Sequence, residues 1–338
     1  NISSPRDPRN GKYMYELKGS LAAHKKRGHL TLSMGLVIFA FFSTACGRLT
    51  PRRTTEATSQ PADSTPAKTH HLTPSTQVQP ELPQDPEFTH ITIEQGLSDQ
   101  RVHTIFQDST GFMWFGTING LNRYDGYNIV EFRNDPAYPR SLSGNWIDDL
   151  YEDSSGTIWV ATRSGLNAFD RQTEQFTRYL HDPEDPHSLS SNFVTTIHGD
   201  QQGILWIGTI DGLNRLDPAT SAFEVFRHDP KDPRSLSSSA VISIHEDRSG
   251  AIWIGTYGGG LNRFDRATGM FTAYRHDPED PNSIGHDIIF DILEDRSGEL
   301  WLATDGGGLN RYNRATDSFT AYRHDPDDPH SIGYDQLD

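Results

Sequence analysis

One cysteine, Cys46, occurs in 338 residues, so no disulfide can close within the chain. Positive charge is also scarce, with 30 Lys and Arg against 46 Asp and Glu and a formal net charge of −16. The deficit is uneven. Residues 1–85 carry 11 basic and 6 acidic side chains, leaving 19 basic and 40 acidic for the rest. An acidic body of that kind excludes the basic footprint a nucleic-acid partner needs. Apolar runs are missing except for Leu30–Ala45, which is shorter than the roughly 20 residues of a full membrane span. Gly and Pro, 29 and 20 in number, recur often enough in the later part of the chain to disfavour helices of about 12 residues. Signatures of catalysis are lacking too: there is no Gly-x-Ser-x-Gly elbow, His-Glu-x-x-His, Cys–His pairing or phosphate loop. No catalytic residue, metal set or cofactor is therefore expected.

What the chain does have is one phrase repeated five times: GFMWFGTINGLNRYD, GTIWVATRSGLNAFD, GILWIGTIDGLNRLD, GAIWIGTYGGGLNRFD and GELWLATDGGGLNRYN. Its tryptophans, Trp114, Trp159, Trp206, Trp253 and Trp301, are spaced 45, 47, 47 and 48 residues apart. Each unit parses into four short strands. The first is an alternating run such as Val102–Phe106, Val194–His198 or Val241–His245. A turn carrying Asp and then Gly follows, as in Asp108/Gly111, Asp153/Gly156, Asp247/Gly250 and Asp295/Gly298. The second strand holds the Trp, the third reads Gly-Leu-Asn-Arg-aromatic, as in Gly260–Phe264, and the fourth Phe-x-x-Tyr, as in Phe271–Tyr274 and Phe319–Tyr322. His-Asp-Pro-x-Asp-Pro-x-Ser-Leu loops lead onward, and their prolines end strand pairing. A period in the forties with four strands per unit predicts an all-β fold, a β-propeller of four-stranded antiparallel blades. The five blades are placed at about 101–136, 146–183, 193–230, 240–278 and 288–326. The recurring Trp, Leu and aromatic positions are expected to pack between neighbouring blades.

Segment 88–92 reads as an orphan fourth strand that would complete a last blade and close the ring. It has no partner in the sequence, so the ring over 87–338 is expected to be incomplete, with about seven blades in the full protein. Ahead of the propeller, residues 1–46 combine Lys25-Lys26-Arg27, the apolar run and small residues, the pattern of an export signal or anchor. Ser43-Thr44-Ala45-Cys46 resembles a bacterial lipobox, which makes Cys46 a candidate lipid-attachment site; Ser43 departs from the usual Leu. Residues 47–86, rich in Pro, Ser and Thr, read as a disordered tether. This order implies a propeller outside the cytoplasm, attached to the cell envelope by a lipid, an uncleaved signal or a later transmembrane helix.

His181, His228, His276 and His324 occupy one equivalent place on four blades, which spreads them around the ring and favours loop capping over metal binding. Positions that differ between copies are the candidates for a ligand site. The turn between second and third strands carries Asn119, Arg163, Asp211, Tyr257 and Asp305; the approach to the first strand carries Arg101, Trp146, Phe193, Ala240 and Asp287. Both places fall on one face, around the mouth of the central channel. Trp146, the one tryptophan off the repeat register, leads the set, with aromatics for flat contact, Arg163 for an acidic group and Asp211 for hydroxyls.

The units resemble the two-component regulator propeller repeat of bacterial ligand-binding sensors. The likeness runs through Phe88-Thr-His-Ile-Thr-Ile-Glu-Gln-Gly-Leu-Ser98, Gly111-Phe-Met-Trp-Phe-Gly-Thr117 and Gly120-Leu-Asn-Arg-Tyr-Asp-Gly126, and covers about residues 88–338. It implies an extracytoplasmic input domain that binds a small molecule or oligosaccharide. The full sensor would continue to a transmembrane helix and a histidine kinase, hybrid kinase or diguanylate cyclase, and would act as a homodimer. Two other readings stay open: an envelope lipoprotein scaffold, and a propeller lyase or hydrolase.

Overall fold

The structure, a computed structural model, describes residues 88–217 and 221–337. The expected export segment, Cys46 and the tether lie outside the described residues. Five four-stranded antiparallel sheets follow one another in the chain, each a simple meander. The first holds Val102–Gln107, Met113–Thr117, Gly120–Tyr124 and Ile129–Phe132. The first strands of the others are Ile147–Glu152, Val194–Gly199, Val241–Glu246 and Ile289–Glu294, and each lies beside its predecessor. First strands are thus innermost, and the sheets are five successive propeller blades.

The Asp-x-x-Gly turns do more than reverse the chain. In each blade the Asp Oδ1 accepts backbone N–H groups two and four residues on, while Oδ2 accepts the indole Nε1–H of the repeat tryptophan at 2.8–2.9 Å. Asp108, Asp200 and Asp247 are buried. Burial opposes their charge, but the hydrogen bonds outweigh it and hold all three carboxyls below the ordinary aspartate value.

The Asn of Gly-Leu-Asn is a second keystone. Asn122, Asn167, Asn214 and Asn262 are fully buried and accept the N–H of Ser98, Ser143, Ser190 and Ser237 in the preceding loop, returning Nδ2–H to the serine hydroxyl. That satisfaction is what permits a buried amide. The loop histidines cap: Nδ1 of His181, His228, His276 and His324 bonds a backbone carbonyl at 2.7–2.8 Å.

Apolar cores lie between blades, as expected for the repeated aromatics. Trp114 of the first blade packs edge-on against Phe169 of the second at 5.3 Å, and Trp206 against Phe264 at 5.1 Å. Segment 88–92 pairs with no sheet among the described residues, in keeping with a segment that has no partner in this sequence, and every blade supplies its own fourth strand. Thr92 instead caps a 3-10 turn at Ile93–Gln95.

Candidate functional site

Ladder register fixes which residues share the rim at the start of the first strands. Backbone N–H groups of Arg163, Ile210, Tyr257 and Asp305 donate to the carbonyls of Trp146, Phe193, Ala240 and Ile288. Two expected equivalences are therefore off by one residue. Asn119 and Asp211 match Ser164, not Arg163, since all three donate their N–H to the preceding Thr hydroxyl at 3.1 Å. Asp287 matches Asn145 and Asn192: its carboxylate caps the His276 N–H at 2.7 Å, as those amides cap Asn134 and His181. The extra glycine in the fourth and fifth turns puts Tyr257 and Asp305, each next after its Thr, at the register of Arg163 and Ile210 rather than of Asp211.

Three of the expected residues do meet. The Arg163 guanidinium lies 3.6 Å from the Trp146 ring centre and 4.8 Å from that of Phe193, a sandwich that favours a cation. Asp148, which sequence reasoning missed, receives two of its N–H groups at 3.2 and 3.4 Å. Burial raises the Asp148 carboxyl, and Arg163 only partly offsets it. His103 of the first blade stands 5.4 Å from Trp146. The cluster spans three blades; Arg163 and Asp148 pair within it, while the Trp146 Nε1 is buried with no hydrogen-bond partner among the described residues.

The remaining candidates stand apart. Asp211 pairs with Arg227 across an exposed 3.2 Å contact. Asn119 bonds the Ser98 carbonyl, Arg101 faces Asp99, and Asp305 bridges to Gln336. Further around the rim Ile210 and Tyr257 are exposed, an apolar edge that follows Arg163 from blade to blade.

At the opposite end of the strands, arginines staple blades together. Arg171, Arg266 and Arg314 each donate to the Asp of the preceding blade, at 2.7–2.9 Å, and to a Glu of their own, at 2.6–3.0 Å. Sequence reasoning missed these triads. The two described cavities, of about 390 and 240 Å³, also lie at this end.

Four-stranded blades with Trp-filled seams and capped loops define a β-propeller assembled from near-identical repeats. The repeats belong to the two component regulator propeller family, whose model matches residues 96–119, 141–164, 188–211, 235–258 and 283–306. Two solved extracellular domains of B. thetaiotaomicron are similar. One, assigned to a hybrid two component system, is 32% identical with a TM-score of 0.61, covering 69% of this chain and 31% of its own. The other, assigned to a one component system, is 27% identical with a TM-score of 0.58, covering 70% and 33%. A histidine kinase, P4, of Formosa agariphila is 41% identical over 56 residues, 17% of this chain and 4% of the kinase. The chain thus spans about a third of each of these two solved chains.

Proposed function

We propose that these blades form part of the extracytoplasmic input region of a bacterial two-component or related sensor, and that the rim of the first strands receives a small ligand. The observation that carries this reading is the kinship of the five repeats with extracellular domains assigned to signalling systems. The rim adds chemistry suited to a ringed, polar molecule such as an oligosaccharide. Ile210 and Tyr257 offer exposed apolar contact, and the outer edge of Arg163 offers a donor held in place by Trp146, Phe193 and Asp148. A ligand in contact with the innermost strands of several blades at once biases how those blades sit against one another, and a sensor transmits such a bias onward.

The test is a panel of oligosaccharides and small acidic metabolites titrated into the full chain by calorimetry. One class should bind saturably, and Tyr257→Ala and Arg163→Gln should weaken it about tenfold each, Tyr257→Ala without lowering the melting temperature by more than a few degrees. Binding that survives both substitutions in folded protein would move the site away from this rim.

A further inference from the structure

The seam between the second and third blades departs from the other three. At the seams made by Arg171, Arg266 and Arg314 the same triad recurs, and the Glu carboxylate also accepts the N–H that follows the Asp of the earlier blade, from Ser109, Gln201 and Arg248. At the second seam both partners are gone together. Gly199 stands where the others have Glu152, Glu246 and Glu294, and Pro218 stands in the sequence at the register of the three arginines. Pro218 lies outside the described residues; whatever its placement, it carries no guanidinium.

The loss leaves a cleft of about 390 Å³, lined by Tyr151, Asp153, Ser154, Gly199, Asp200 and Gln201 among others. Among the described residues Asp153 Oδ2 accepts one hydrogen bond, from Trp159. Its counterparts Asp108, Asp200 and Asp247 each accept a second from arginine. Those three are buried, whereas Asp153 is half-buried and open to the cleft. Tyr151 leans into the space of the missing Glu: a Cβ on Gly199 would fall 2.2 Å from its hydroxyl. An aromatic ring and a carboxylate oxygen with a single donor among the described residues thus border one cleft. The three sibling seams show what this carboxylate position accepts when a donor is supplied.

We propose that this cleft binds a guanidinium group from outside the chain, as carried by free arginine or an arginine-bearing peptide. Asp153 takes the charge-assisted hydrogen bond its siblings give to arginine, and the Tyr151 ring offers its face to the cation. The site lies at the opposite end of the strands from the proposed rim and stands independently of it.

Calorimetric titration of the full chain with L-arginine, the tripeptide Gly-Arg-Gly and L-citrulline tests it, citrulline being the uncharged near-isostere. Saturable binding of arginine or the tripeptide, with citrulline at least about tenfold weaker, is the expected result. Tighter binding of the tripeptide assigns the site to peptides, and equal or tighter binding of arginine assigns it to the free amino acid. Asp153→Asn should weaken binding about tenfold or more. Because Asp153 also holds its turn, a second variant guards against misfolding: Tyr151→Leu leaves that turn's hydrogen bonds in place and should weaken binding several-fold in a chain that stays folded. No saturation up to about 10 mM, equal binding of citrulline, or unchanged binding by Tyr151→Leu would each overturn the proposal.

Discussion

Replacing Arg266 by Met removes the guanidinium of one staple and keeps most of its apolar stem. The side chains of Asp200 and Glu246 are 0% and 5% exposed, so both carboxylates lose their partner where water can hardly replace it. Breaking a buried pair from one side costs about 3–5 kcal/mol. Arg266 is itself 24% exposed, so solvent screens part of its interaction, and about 2–4 kcal/mol is the expected loss. The control is Arg215→Met, whose pair with Glu224 is 42% and 57% exposed and whose loss should cost about 0–1 kcal/mol. Urea unfolding at neutral pH, followed by circular dichroism and tryptophan fluorescence, separates the two. Added salt should narrow the effect of the surface pair more than that of the buried one. Arg266→Met with Glu246→Gln should recover part of the loss, since only one carboxylate then stays unpaired. If Arg266→Met matched Arg215→Met within error, the staples would be incidental, and the inference drawn from the unstapled seam would weaken with them.

Three further outcomes are expected. Trp206→Ala should cost about 3–5 kcal/mol, because a fully buried ring leaves a cavity and Asp200 loses its indole donor, whereas half-buried Trp146→Ala should cost about 1–2 kcal/mol in the same urea assay. Gly260→Ala should cost about 2 kcal/mol or more, since φ is +79° and the new Cβ would meet the Tyr274 carbonyl oxygen at 2.1 Å. The pH profile should show a compensation. Burial and the neighbouring His245 hold His198 down to about 4, while burial pushes Asp149 up to about 6. A lowered histidine makes stability rise with pH below its ordinary 6.5, and a raised aspartate makes it fall above 3.8; each slope is about 1.4 kcal/mol per pH unit where fully expressed. Urea midpoints of the native chain should thus vary little from about pH 4.5 to 6. His198→Gln, which keeps an acceptor for the Glu246 N–H, should make stability fall by about 1–2 kcal/mol over that range; a flat profile would refute the pairing.

Strand positions were legible because the period-2 alternation, the Asp-x-x-Gly turns and the prolines recur at fixed offsets. The inter-blade role of the tryptophans followed from repetition alone. Register at the rim was less legible. Thr256-Tyr257-Gly258-Gly259-Gly260 is one residue longer than Thr209-Ile210-Asp211-Gly212, so counting from the glycine aligns Asp211 with the wrong partner. The staples escaped notice because each joins residues 63–67 positions apart in different blades, a distance at which no local pattern speaks. A signal was present nonetheless. Glu at the end of the first strand and Arg after the third occur together in the second, fourth and fifth units, and both are absent from the first and third, where Gln107 and Gly126, then Gly199 and Pro218, stand instead. Two positions that switch together are in contact, and that comparison needs only this one chain.

Variation between repeats has two different physical meanings in this protein. At the rim Trp146, Arg163 and Phe193 vary from their counterparts, yet they close on one another and on Asp148, so the Arg163 and Asp148 charges are already paired. A ligand there must compete with those contacts or use the exposed edge beyond them. At the second seam the variation is a deletion of partners, and the repeated half of the triad, Asp153, keeps only the tryptophan donor to Oδ2 among the described residues, beside open space. In a structure built from copies, the sharper pointer to a ligand is a repeated residue that has lost its repeated partner. The copies themselves specify the chemistry that is missing, and for Asp153 that chemistry is a guanidinium.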